Sequence, residues 1–86
     1  MDKEILDIIS IDFKTEQKNS VVKELSSINL NHVMAESEYN LKNTRMSILY
    51  LAKGELSEVE ELTKRAKIDF RDVIMWATQE KNLKNI

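Results

Sequence analysis

The chain has 86 residues, with no cysteine, no proline and a single glycine. Thirteen Lys and Arg against fifteen Asp and Glu leave a net charge of −2 at pH 7, with 33% of residues charged and 42% hydrophobic. This balance excludes a disordered chain and a disulfide framework, and it lacks the basic excess of a polyanion binder.

Surface scaling predicts a folded area of roughly 5,200 Å² against roughly 14,500 Å² unfolded, which suits one helical domain over 1–86 with a modest core that self-association would help. Charge is uneven: residues 1–40 hold four Lys against eight acids, and residues 41–86 nine basic groups against seven acids. The longest apolar runs, 48–52 and 73–77, are five residues each, where a membrane helix needs about 20. Asp2, Glu4, Asp7 and Asp12 stand where a secretory leader would be basic and then apolar, so the expected setting is cytoplasmic.

In chain order, Ile5, Ile9 and Phe13 fall at i+4 steps, while Ile9, Ile11 and Phe13 also alternate with Ser10 and Asp12 as a strand would. Nothing else in the chain offers a partner strand, so helix is the preferred reading. Val21, Val22, Leu25 and Ile28 suit a second helix over 16–28. A long helix over 31–53 follows, its main face formed by Leu30, Met34, Leu41, Ile48, Leu51 and Ala52 with Ser37 and Thr44 as small members. Ala35, Tyr39, Met46 and Tyr50 form a second stripe, and a helix with two apolar stripes belongs between two layers, at the centre of the fold.

Gly54 reads as the left-handed residue ending that helix. Ser57 and Glu60 form a capping-box pattern opening a helix over 57–67, with Val59, Leu62 and Ala66 inward. Glu55, Glu58, Glu60 and Glu61 crowd its start and Lys64, Arg65 and Lys67 its end, which complements the helix dipole; Glu60–Lys64 and Glu61–Arg65 are i,i+4 pairs. Asp69 is the cap expected for a last helix over 70–82, through Phe70, Val73, Ile74 and Ala77. The expected fold is all-α: a compact bundle of four or five helices with a long central helix and a C-terminal helix-turn-helix-like pair.

Catalytic chemistry is scarce. His32 is the only histidine, and with Glu36 it supplies two ligands where a transition metal needs three or four. The glutamates around residue 58 are accounted for by the helix start, and a single glycine builds no phosphate cradle. No enzyme, metal, cofactor or small-molecule substrate is therefore expected. Arg45 borders the main face of the long helix and, if buried, requires a carboxylate, with Glu38, Asp69 and Asp72 as candidates.

From Leu62 through Ile68, Asp69 and Val73 to Trp76, the segment resembles a helix-turn-helix DNA-binding unit in register. The resemblance covers about 20 of 86 residues and implies a second helix whose early residues enter the major groove. Lys67 stands at the usual turn glycine and Thr63 at the usual alanine. On the reading face of Phe70, Arg71, Ile74 and Met75 only Arg71 could meet a base or phosphate, and Asp69 and Asp72 would repel the backbone.

The last helix is apolar over more than half its circumference. If Phe70, Val73, Ile74 and Ala77 face the core, Met75 points away and Trp76 lies on the flank; if Val73 and Trp76 face inward, Phe70 and Ile74 project. The expected function is a small interaction or regulatory module binding a protein partner or a second copy. Its contacts would come from Phe70, Ile74, Met75 and Trp76, with Tyr39, Met46 and Tyr50 as a second patch. The alternative is a DNA-binding regulator using Lys67 and Arg71.

Overall fold

A computed structural model describes residues 1–84. Five α-helices and two single 3-10 turns, with no strand among the described residues, form an all-α bundle: α1 (Lys3–Asp12), α2 (Thr15–Ser26), α3 (Glu38–Ala52), α4 (Leu56–Ile68) and α5 (Phe70–Lys84). Its accessible surface is 5548 Å², close to the area that its mass predicts. No helix among the described residues is long and apolar enough to cross a membrane.

Helix α1 opens on Asp2, whose carboxylate accepts the Glu4 N–H at 2.8 Å. Its i+4 residues Ile5 and Ile9, with Phe13 just beyond, are buried. Ile11, the residue that produced the strand-like alternation, is left 82% exposed. On α2 the buried residues are Val21 and Leu25, with Ile28 following the helix end.

The long helix expected over 31–53 is instead a 15-residue helix, α3, preceded by 3-10 turns at Leu30–His32 and Met34–Glu36. Two local causes divide it. Ala35 and Glu36 take positive φ, 58° and 49°, and the Ser37 hydroxyl caps α3 by accepting the Asn40 N–H at 3.2 Å. His32 serves the first turn: its Nδ1 accepts the Asn29 N–H at 3.0 Å, while the Asn29 side chain accepts from Asn31. Met34, placed on the main face by periodicity, is exposed because that face begins only at Leu41; Thr44, Ile48 and Ala52 continue it into the core.

Lys53 and Gly54 are both left-handed, with φ of 51° and 82°, and turn the chain from α3 into α4. A Cβ on Gly54 would lie 2.7 Å from the Asp12 carbonyl oxygen, so this turn is also where the end of α1 rests. The capping box at Ser57 does not form. The turn leads straight into the helix, so Glu55 is the N-cap and Ser57 lies inside the first turn. Lys64 pairs with Glu61 at 3.5 Å rather than with Glu60.

Helix α3 packs on α1, α4 and α5, and α4 packs on α2, α3 and α5. The central position is thus shared. The buried residues of α4 are Val59, Thr63 and Ala66, small enough for helix axes to approach closely on several sides. One cluster, running from Ile5 through Leu25 and Ile48 to Val73, forms the core.

Candidate interaction surface

The last helix takes the first of its two orientations. Phe70 is 9% exposed and belongs to the core with Val73 and Ala77. Ile74 and Trp76 are half-buried on the flanks, and Met75 points outward at 47% exposure. The Arg65 guanidinium of α4 lies 5.9 Å from the centre of the Trp76 ring, a separation at which the ring's negative face attracts a cation.

The stripe Tyr39, Met46 and Tyr50 lies on α3 where α1 and the end of α5 flank it. Ile8 and Ile11 from α1, Met46 and Tyr50 from α3 and Lys81 from α5 line a cleft of about 290 Å³ with Leu49 among them. Tyr39, Lys42, Asn43, Met46 and Lys81 line a second cleft of about 290 Å³. Met46 and Lys81 belong to both, so the two adjoin. Tyr39 is 76% exposed and Met46 and Tyr50 are half-buried. The exposed rim and half-buried middle make a continuous shallow face rather than scattered apolar residues.

Cations frame this face. The ammonium groups of Lys81 and Lys53 lie 4.7 and 5.6 Å from the centre of the Tyr50 ring, and Lys53 also pairs with Glu80. Lys42 bonds to Glu4 at 3.0 Å and Asp2 at 3.5 Å, tying α1 to α3. Those two carboxylates raise the Lys42 pKa, and the Glu4 N–H, followed by Lys42, lowers that of Asp2.

Ile8, Ile11 and Lys81 were not among the sequence candidates. The signal for Ile11 lies in its angle: once Ile5, Ile9 and Phe13 define an inward helical face, Ile11 falls off it. Lys81 carries no such signal, since only the packing of α5 on α3 brings it there.

The second candidate region is the α4–α5 junction. The helices are joined by Asp69 alone, where a helix-turn-helix unit has a turn of about three or four residues. Ile68, at the aliphatic turn position of that pattern, is 76% exposed. Asp69 accepts the Arg71 N–H at 3.1 Å and both arms of its guanidinium at 3.0 Å. The Arg71 hydrogen bonds lower the Asp69 pKa, and the same pair raises that of Arg71. Lys67 is exposed.

A further cleft, about 630 Å³, opens between the start of α1 and α3, where Asp2, Glu38, Tyr39, Lys42 and Arg45 are polar lining groups. Lys42 and Asp2 are paired with each other, and Arg45 bonds to backbone carbonyls rather than to any of the three carboxylates expected for it. No group of three His, Asp or Glu among the described residues is arranged to hold a metal ion. Comparisons with family models, with curated proteins and with solved structures found no match to this chain.

Proposed function

We propose that this chain is a small protein-interaction or regulatory module, working through the helical face of α1, α3 and the end of α5 rather than through catalysis. The observation that carries the reading is the pair of adjoining clefts across Tyr39, Met46 and Tyr50, bordered by Ile11 and Lys81. An apolar middle with a charged rim is the anatomy of a surface that buries against another protein. The nucleic-acid alternative draws less support, because Arg71 is engaged by Asp69 and the one-residue junction is tighter than a helix-turn-helix turn. A cysteine-free chain needs no oxidising compartment to complete its fold, and the cytoplasm is the setting we propose.

The test is covalent capture in the native host. A photoreactive phenylalanine analogue at Tyr39 is expected to give discrete adducts, and the same probe at Lys64, on the exposed side of α4, to give none. Indistinguishable labelling from both positions would remove the reading.

A further inference from the structure

Ile11 is 82% exposed at the edge of a cleft of about 290 Å³ that it helps to line. The cleft also carries one charge of each sign on its rim, Asp12 at the end of α1 and Lys81 on α5. Neither makes an ion pair among the described residues, whereas neighbouring Lys42 and Lys53 are both matched to carboxylates. A patch with a projecting branched side chain, a hollow beside it and one unmatched acid and base is self-complementary. A two-fold axis through such a patch brings it against itself, so that a group at one edge meets the opposite edge of the other copy.

We propose that this face binds a second copy of the chain, forming a two-fold dimer in which Ile11 of each protomer enters the cleft between Met46 and Tyr50 of the other. Asp12 and Lys81 pair across the axis and set the register. A partner of one charge sign would satisfy only half of this rim and leave a like charge facing the other half. The inference rests on the interaction reading above and assigns its partner.

The test is sedimentation equilibrium of the full chain at low salt. Wild type is expected near twice 10.0 kDa. Ile11→Asp, at a site with almost no burial to lose, is expected to sediment at 10.0 kDa with unchanged helical circular dichroism. Asp12→Lys and Lys81→Asp should each weaken the dimer by about tenfold or more, and the double variant should recover most of that loss, because the charges are exchanged rather than removed. A dimer indifferent to Ile11→Asp, or charge reversals that add instead of compensating, would overturn the proposal. A wild type that stays at 10.0 kDa throughout would overturn it too; discrete adducts from the Tyr39 probe to a different protein would then leave the interaction reading intact.

Discussion

Arg45 and Ile28 are 17 residues apart, and the Arg45 Nη2 donates to the Ile28 carbonyl oxygen at 2.7 Å. Its Nε donates to the Leu25 carbonyl at 3.0 Å. Leu25 lies in the last turn of α2 and Ile28 just past its end, where carbonyls run short of intrahelical donors and the helix dipole is negative. A single guanidinium on α3 therefore anchors the end of α2. Burial pulls the Arg45 pKa down and Glu38 acts against that as a nearby charge; a guanidinium is charged in proteins in any case.

Lysine cannot span two carbonyls with a planar fork. Arg45→Lys is expected to lower stability by about 1.5 kcal/mol, the low end for charged hydrogen bonds because the side chain is only partly buried. Glu38→Gln should change it by less than about 0.5 kcal/mol. Urea midpoints measure both, and equal losses would mean that the carboxylate, not the carbonyls, holds the arginine.

Arg45 also marks where reading from the sequence stops. An apolar neighbourhood announces that a buried cation needs acceptors, but backbone carbonyls belong to every residue, so nothing in the sequence identifies Leu25 and Ile28 as the ones used. The inward stripes are different: Ile5–Ile9–Phe13, Val21–Leu25 and Val59–Ala66 are legible because each helix carries its own periodicity. The break in 31–53 was hidden because Ala35 adopts φ of 58° without a glycine or asparagine to advertise it. The same divide runs through the candidate surface. Tyr39, Met46 and Tyr50 share one helix, whereas Ile11 and Lys81 join them only through tertiary packing.

Gly54 meets two demands at once, a φ of 82° and a 2.7 Å approach of any Cβ to the Asp12 carbonyl. Gly54→Ala should cost about 2 kcal/mol, combining left-handed strain with displacement of α1. Gly54→Asn separates the two causes, because asparagine tolerates positive φ but still carries the Cβ. A loss close to that of alanine identifies the contact with α1 as dominant, and near-wild-type stability identifies the turn; the short approach predicts the former.

Thr63 presents the opposite case, a side chain whose polar atom brings no compensation. It is 1% exposed on α4, and its hydroxyl has no hydrogen-bond partner. Thr63→Val keeps the branched shape and removes the buried hydroxyl, so it should stabilise the protein by about 1 kcal/mol. The check is a urea midpoint that rises without a change in slope. A fall would mean that the hydroxyl is hydrogen-bonded in solution.

Asp69 gives the fold a pH dependence whose direction follows from its ion pair. The hydrogen bonds from Arg71 hold its pKa below the ordinary 3.8, so the folded state binds the proton less readily than the unfolded state. The stabilisation is therefore present above 3.8 and is lost as pH falls through the lower folded value. Asp69→Asn retains an acceptor for the Arg71 N–H but cannot ionise. The stability difference between wild type and variant should be constant well above the ordinary carboxylate value and fade as pH falls below it. Asp2 is lowered in the same direction, but it is common to both proteins and cancels in the difference. The exposed pair is also open to salt, so repeating the comparison near 1 M salt, where screening acts within about 3 Å, should flatten the curve. A difference that persists unchanged at low pH would mean that the ionised carboxylate is not what stabilises this junction.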